Sequence, residues 1–361
     1  MRDTRWRISI KYLGVLFLFL PMVFIKSIGL GSSSYAALAI AAISLLGSSL
    51  ALRSIRVSKR EKQLWILLLT LGIILFFTSG KYFLFLSIYS LFLLTRLDST
   101  RLQRDLFYVC IVALFVLIFI NWNTYSNELR FVDGEWTSVI KRSNVIFVTF
   151  FMLFNLYIMK EKTRKIVILL FIMAGIALFK FTYSRSGFVC LMVEVLLLFL
   201  YKIRLIHNSK VIRRVVCFSP FIIFIGVVLI NYLYSSIPFL QQVDLLLQHR
   251  LYLGNKILSM YPLTFFGQNV IISTAADNYI AMDNTYLNLF INYGILITLC
   301  WLVLNVFTFK YLYKTKNYTG IVVLLGYTVY GLTESFVLVS FLNPAFFYYG
   351  RYLTEQFSNK K

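Results

Sequence analysis

The feature that most constrains the fold is a succession of long apolar runs, separated by short polar or basic breaks. A helix that crosses the hydrocarbon core of a bilayer needs about 20 residues, and runs near this length recur along the whole sequence. Counting the runs against the breaks predicts about twelve spanning helices. They lie near 11–28, 34–52, 63–79, 81–96, 106–121, 143–159, 165–180, 187–202, 215–233, 285–306, 319–334 and 336–350.

Composition supports a membrane protein. The 361 residues are 60% hydrophobic and 14% charged, whereas soluble domains are about 45–50% apolar and about 25% charged. We therefore predict an all-α polytopic membrane domain over residues 1–361, with one large extracytoplasmic loop at 234–284 that contains short helices. The run from Arg7 to Ile25 is followed by a second run from Ser32 to Leu52, so we expect an uncleaved anchor rather than a signal peptide.

The positive charge is distributed as in a membrane protein. The net charge is +22, and Lys and Arg cluster in every second loop. This alternation follows the positive-inside bias and predicts that both termini are cytoplasmic. It does not indicate a nucleic-acid partner. The basic segments are 2–11, 53–62, 96–104, 160–165, 202–214, 310–316 and the tail from Arg351.

Few basic residues remain for the outer face or the membrane interior, so an anionic substrate that binds there has a short list of cationic contacts. These residues are Lys26, Lys81, Arg130, Lys141, Arg142, Lys180, Arg185, Arg250 and Lys256. The cysteines fall inside apolar runs without metal-ligand spacing, and no pair of acids is spaced for a metal ion. We expect neither a metal nor a cofactor.

The large loop carries the first candidate site. The segment 239–260 predicts a single helix with an apolar stripe, and Arg250 falls on that stripe. An arginine there either extends its stem along apolar surface or pairs with an anion. His249 is adjacent, and neighbours on a helix point about 100° apart, so the two would not share a target. The stripe consists of Phe239, Val243, Leu246, Leu247, Leu253 and Ile257.

The second candidate is Arg185 in "KFTYSRSGFVC", 180–190, at a predicted outer helix end. It either extends to the interface or binds phosphate bidentately, as guanidinium groups do. Two acids fall in predicted spans, where such residues face the bundle interior. We expect Glu334 to lie near the outer face, where it can join the site, and Glu194 to have a structural role.

The chain resembles the bacterial Wzy-type polysaccharide polymerases, which are related to the O-antigen ligases. "YSRSG" (183–187) is similar to an Arg-containing segment of that family. "HRLYLGNKILSMYPLTFFGQN" (249–269) is similar to its large-loop pattern, and "DNTYLNLFINYGILITLCWL" (283–302) is similar to a segment that ligases write as His-Asn before a span. Here Asp283 stands in place of that His, which favours polymerase over ligase.

The resemblance implies an activity on the outer face of the bacterial cytoplasmic membrane. The substrate would be an oligosaccharide repeat unit on a polyprenyl pyrophosphate carrier. The reaction would be an inverting, metal-independent glycosyl transfer that builds a capsule, O-antigen or other surface polysaccharide. A flippase and a chain-length regulator of the same pathway are the implied partners, together with membrane lipid.

The resemblance also implies roles for individual residues. Arg185 and Arg250 would bind pyrophosphate, as bidentate arginines can do without a metal. Asp283 would align the acceptor hydroxyl, either as a positioning group only or also as the base that takes its proton late in the reaction. Substrate would be oriented by Asn284, Tyr286, Gly267 and Glu334. For Asp283 and Asn284, helix capping is the alternative, since both residue types are favoured N-caps.

Two other functions remain open from the sequence. An O-antigen ligase would attach a finished polymer to a different acceptor. A transporter or flippase for lipid-linked glycans would also have about twelve spans, although such folds often show two related halves. Here the polar features gather at the predicted outer face and in one asymmetric loop.

Overall fold

The computed structural model describes residues 59–80, 83–94, 99–122, 128–132, 135–139, 143–160, 163–202, 209–247, 249–271, 282–340 and 342–358. The predicted spans at 11–28 and 34–52 lie outside the described residues.

The described part of the chain is helical almost throughout, which confirms the helical character predicted from the apolar runs. The helices are α1 (Lys59–Ser79), α2 (Phe83–Leu94), α3 (Ser99–Trp122), α4 (Ser143–Ile158), α5 (Lys165–Thr182), α6 (Arg185–Lys202), α7 (Lys210–Tyr232), α8 (Pro238–Leu246), α9 (Arg250–Met260), α10 (Thr285–Asn288), α11 (Gly294–Lys314), α12 (Tyr318–Tyr330) and α13 (Phe346–Ser358). A π-helical turn (Leu289–Tyr293) joins α10 to α11, and a 3₁₀ turn covers Ser335–Leu338.

Four of the described helical stretches are long and apolar enough to cross a membrane. They are Leu102–Trp122, Lys165–Thr182, Lys210–Tyr232 and Thr285–Lys314. Shorter apolar helices cover Trp65–Ser79, Leu84–Leu94, Ser143–Ile158 and Tyr318–Tyr330. These helices coincide with predicted spans, because the length of an apolar run is the signal on which the prediction rests. The number of spans and their orientation stay predictions.

The twelfth span, predicted at 336–350, is not a helix over that range. The 3₁₀ turn ends at Leu338, and α13 begins only at Phe346. Pro344 contributes to this break, since a proline disfavours helical backbone at the residue before it. That residue is Asn343, whose side-chain oxygen accepts a hydrogen bond from the Ala345 N–H at 2.9 Å. The apolar composition of the segment concealed this break.

The predicted outer loop 122–142 contains a short antiparallel ribbon that the sequence analysis did not include. Strand β1 (Glu128–Val132) pairs with β2 (Glu135–Val139), with Val132 opposite Glu135. The sequence between the strands is Asp133-Gly134, a dipeptide strongly preferred in two-residue hairpin loops.

The chain forms two compact units. The first comprises the described parts of Met1–Leu67, Ser87–Leu191 and Ser340–Lys361, and the second comprises Leu68–Leu86 and Met192–Val339. At the centre of the first unit is α4, which is buried on nearly every side. Its Phe150 and Phe154 contact Phe171 of α5, with ring centroids 5.7 and 5.4 Å apart. A helix that is apolar all round belongs in an interior, and α4 meets that expectation.

In the second unit, the loop that follows α9 caps the start of α11. The first N–H groups of a helix have no partner within it. Here the Ile295 N–H donates to the Thr264 carbonyl at 3.1 Å, and the Leu296 N–H donates to the Phe265 carbonyl at 3.3 Å. The π-helical turn before Gly294 breaks the regular helix at this point and leaves these donors to the loop.

Two glycines permit this close contact. Gly267 and Gly294 have φ of +83° and +82°, the left-handed region that favours glycine. A Cβ on Gly294 would lie 2.5 Å from the Phe265 carbonyl oxygen, and a Cβ on Gly267 would lie 2.1 Å from that of Asn292. The loop and the turn therefore meet backbone to backbone.

Glu194 is fully buried in the second unit and packs against α12. A Cβ on Gly326 would lie 2.9 Å from the Glu194 carboxyl carbon. The absence of a side chain at Gly326 thus makes the space for this carboxyl group. The structural role expected for Glu194 stays a prediction.

We expect Gly294→Ala to destabilise the protein, because the new Cβ meets backbone and because positive φ costs about 1–3 kcal/mol for a non-glycine residue. The midpoint of thermal unfolding in detergent should fall by several degrees. Gly226→Ala is the matched control, since a Cβ at Gly226 in α7 has nothing within 4 Å. Equal midpoints for the two variants would contradict the proposed contact.

Candidate functional site

A cavity of about 350 Å³ lies within the second unit. Its walls are mostly apolar and its polar residues are Asn231, Arg250, Asp283, Asn284 and Thr333. Ligand sites in proteins measure roughly 300–1,000 Å³ and combine apolar walls with a few placed polar groups. The volume of this cavity lies at the lower end of that range.

The apolar stripe predicted from the sequence lines this cavity. Side chains of both α8 and α9 contribute, and Arg250 lies among them, as its position on the stripe predicted. It is the one basic side chain among the described residues of the lining. The stripe residues on the cavity wall are Phe239, Val243, Leu247, Leu253 and Ile257.

The prediction of one continuous helix over 239–260 is wrong. Helix α8 ends at Leu246, and α9 begins at Arg250. Between them His249 adopts a left-handed conformation with φ of 60°. A non-glycine residue rarely adopts this conformation unless the surroundings impose it.

The residue that constrains His249 here is Asp244, whose carbonyl oxygen accepts a hydrogen bond from the His249 N–H. The sequence analysis did not identify Asp244 as a site residue. Its carboxylate is almost fully buried and accepts hydrogen bonds from the N–H groups of Leu251 at 2.7 Å and Tyr252 at 3.1 Å. It therefore caps the first turn of α9 from the preceding helix. His249 Nδ1 lies 3.7 Å from the same carboxylate.

Tyr234 also interacts with Asp244. Partial loss of hydration raises the pKa of the Tyr234 phenol above its usual value, and the Asp244 carboxylate that accepts its hydrogen bond raises it further. The shift favours the protonated phenol, which is the form that donates to the carboxylate. Asp244 is thus hydrogen-bonded both by the start of α9 and by Tyr234, which lies two residues after the end of α7.

Three groups hold the guanidinium of Arg250. One terminal nitrogen, Nη1, donates to the Thr333 carbonyl oxygen. The other, Nη2, lies 3.6 Å from Glu334 Oε1 and 3.9 Å from Asp283 Oδ2. The structure thus brings Arg250, Asp283 and Glu334 together, although they are far apart in sequence.

The two carboxylates differ in their environment. The Glu334 side chain is 7% exposed, whereas that of Asp283 is 47% exposed. Water screens the Asp283 contact, so the pair with Glu334 contributes more to holding Arg250 in place. Because it is more exposed and more weakly held, the Asp283 carboxylate is the partner of Arg250 that an anionic ligand could displace more easily.

The polar residues that precede α10 have separate roles. Asn284 is the N-cap, because its side-chain oxygen accepts from the N–H groups of Tyr286 at 2.8 Å and Leu287 at 3.1 Å. Its amide nitrogen donates to the Leu332 carbonyl oxygen at 2.8 Å. Asp283 instead faces Arg250. Asn284 therefore caps the helix, as the alternative interpretation predicted, whereas Asp283 does not.

Tyr286 and Gly267 are not among the residues that line the cavity. Tyr286 is fully buried, and its hydroxyl donates to the Thr328 carbonyl oxygen at 2.7 Å. Gly267 packs against the π-helical turn, as described above. The substrate contacts predicted for these two residues stay predictions, and both residues have structural roles.

Arg185 belongs to the first unit, where it is the first residue of α6 and is exposed. A two-residue turn precedes it, in which Tyr183 has φ of 47° and the Ser184 hydroxyl donates to Asn144 Oδ1 at 3.2 Å. Arg185 and Arg250 each begin a helix close to a residue with positive φ, which is two residues earlier for Arg185 (Tyr183) and one residue earlier for Arg250 (His249).

A cation at this position is unfavourable for the helix, because the N-terminus carries a partial positive charge. An anion bound there would interact favourably with both the arginine and the helix. At Arg250, Asp244, Glu334 and Asp283 provide the negative charge that offsets the unfavourable position. The arrangement can bind an oxyanion that replaces the exposed carboxylate.

Comparisons with known proteins did not identify a family: no protein-family model, curated protein or solved structure matches the chain. The fold and the site therefore define a class only, that of a helical protein whose long apolar helices are compatible with a membrane.

We expect Arg250 to be coupled more strongly to Glu334 than to Asp283. Double-mutant cycles that combine Arg250→Met with Glu334→Gln or with Asp283→Asn would measure this by thermal unfolding in detergent. The coupling should be about 1–3 kcal/mol for Glu334 and below about 1 kcal/mol for the half-exposed Asp283.

The exposed pair of Arg104 and Asp105, separated by 3.4 Å, is the control and should couple negligibly. A larger coupling for Asp283 than for Glu334 would contradict this account of the two carboxylates.

Proposed function

We propose that the chain is a membrane-embedded glycosyltransferase that polymerises oligosaccharide repeat units carried on polyprenyl pyrophosphate. The observation that supports this most is the position of Arg250. It lines an apolar-walled cavity and lies at the first turn of a helix, with the half-exposed carboxylate of Asp283 beside it. A lipid-linked pyrophosphate has the matching chemistry, namely an apolar chain joined to an oxyanion.

In the proposed reaction, the acceptor hydroxyl oxygen forms a bond to the anomeric carbon of the donor sugar. The bond from that carbon to the pyrophosphate oxygen breaks, and the lipid pyrophosphate leaves with the electron pair. A single displacement of this kind inverts the anomeric centre. The hydroxyl proton passes to the Asp283 carboxylate late in the step.

Arg250 would stabilise the charge that develops on the leaving pyrophosphate. A guanidinium has five N–H donors, and its described contacts with Thr333, Glu334 and Asp283 use only the two terminal nitrogens. The Nε–H group is left for a phosphate oxygen. Exchange of the Asp283 contact for substrate would free further donors and release the carboxylate for the acceptor hydroxyl.

The roles of the other predicted residues rest on the resemblance to Wzy-type polymerases. The resemblance implies pyrophosphate binding for Arg185, and Asn284, Tyr286 and Gly267 would shape the substrate site. Glu334 would act through Arg250, which it contacts. The active face would be extracytoplasmic in a bacterial cytoplasmic membrane, with a flippase and a chain-length regulator as pathway partners.

We expect Arg185→Ala and Arg250→Ala to abolish polymer while the protein stays in the membrane. Each change removes a cation that would stabilise the leaving pyrophosphate, and loss of such a group costs about 10²–10³-fold in rate. Chain-length ladders from a deletion strain complemented with each variant would measure the effect.

Arg104→Ala is the matched control, since Arg104 is an exposed arginine outside the site, and it should restore the full ladder. Wild-type ladders from either site variant would rule out the role proposed for that arginine.

The lipid-linked glycans of the deletion strain separate the proposed function from its rivals. Loss of a polymerase should leave single repeat units on the lipid carrier. Accumulation of long lipid-linked chains would indicate a ligase instead. Single units confined to the cytoplasmic leaflet would indicate a flippase.

A further inference from the structure

The start of α9 depends on the carboxylate of Asp244, to which the sequence analysis assigned no role. Asp244 belongs to α8, yet both of its oxygens are used by the first turn of α9. Oδ1 accepts from the Leu251 N–H and Oδ2 accepts from the Tyr252 N–H. Its burial excludes the water that would otherwise compete for these N–H groups.

These bonds fix the direction in which Arg250 points. Arg250 is the residue immediately before Leu251, so its Cα position and side-chain direction follow from the first turn that Asp244 holds. A second constraint comes from the Asp244 carbonyl oxygen, which accepts from the His249 N–H at 3.0 Å. Asp244 therefore determines both the break between the helices and the point at which α9 begins.

Charge supports the same conclusion. The helix N-terminus and the guanidinium of Arg250 are both positive and adjacent, which is unfavourable without a nearby anion. Asp244 supplies that anion on the backbone side of the helix start. Glu334 and Asp283 supply it on the side-chain side.

We infer that Asp244 is a positioning residue for the oxyanion site, acting through the first turn of α9 to hold Arg250 in the cavity. The effect expected on binding and elongation rests on the proposed function. Its structural consequence, a helix start that depends on one carboxylate, can be measured without any substrate.

The structural test is amide hydrogen exchange on the purified full-length chain in detergent. Asp244→Ala removes both acceptors, and exchange at Leu251 and Tyr252 should be roughly tenfold faster or more, since a bond to a charged group is worth a factor of that order. Asp244→Asn keeps one oxygen acceptor and should give an intermediate rate. Unchanged exchange in both variants would overturn the inference.

Asp105→Asn is the matched control, because it removes a carboxylate that pairs with Arg104 outside the second unit. It should leave exchange at Leu251 and Tyr252 unchanged. Faster exchange in this control would show a general response to charge removal and would contradict a specific role for Asp244.

The functional test uses farnesyl pyrophosphate as a binding probe, and lipid-linked single repeat units from the deletion strain as substrate. Asp244→Ala should weaken binding of the probe at least about tenfold and should slow elongation of the substrate. The double variant of Asp244→Ala and Arg250→Ala should bind the probe no more weakly than Arg250→Ala alone, because two residues that act through one interaction are not additive. Asp244→Asn should recover part of the loss.

Additive losses in the double variant would show a structural role that is independent of Arg250 and would overturn the inference. Full activity of Asp244→Ala beside an active wild type would overturn it as well, and the proposed function would stand. A wild type that does not elongate the substrate would refute the proposed function, and the exchange rates would still decide the role of Asp244.

Discussion

The constraint on which the site depends is an arginine held at the positive end of a helix. Arg250 begins α9, where a cation is unfavourable, and it lines a cavity whose walls are largely apolar. Buried Asp244 caps the backbone, and Glu334 and the Thr333 carbonyl hold the guanidinium. Without these partners the charge would turn towards solvent, and the cavity would lose its one described basic group.

The rest of the second unit keeps these partners in place. The Thr285 N–H donates to the Gly331 carbonyl oxygen at 2.8 Å, and the Thr285 hydroxyl donates to that of Glu334. These bonds join the start of α10 to the segment after α12, and so bring Asp283 and Glu334 to the same guanidinium. Contacts between three segments that are distant in sequence thus hold Arg250 at the start of α9. The segments are the start of α9, the start of α10 and the residues after α12.

Hydropathy predicted most of the helices, because the length of an apolar run is a local property. It also placed Arg250 on the apolar face that lines the cavity. The break at His249 was missed because it depends on Asp244, a tertiary contact to which a periodic pattern is insensitive. The irregular segment before α13 could have been predicted from Pro344. The contact between Arg250 and Glu334 could not have been predicted, because the two residues lie in separate elements and no local sequence pattern connects them.

The central claim is that this chain itself extends a lipid-linked glycan. The most direct test is to reconstitute the purified full-length protein in vesicles with lipid-linked single repeat units as the sole glycan, and to size the products. The account predicts a ladder of products longer than the input, formed without added nucleotide sugar. Input that stays at one repeat unit, whether or not it crosses the membrane, would contradict it.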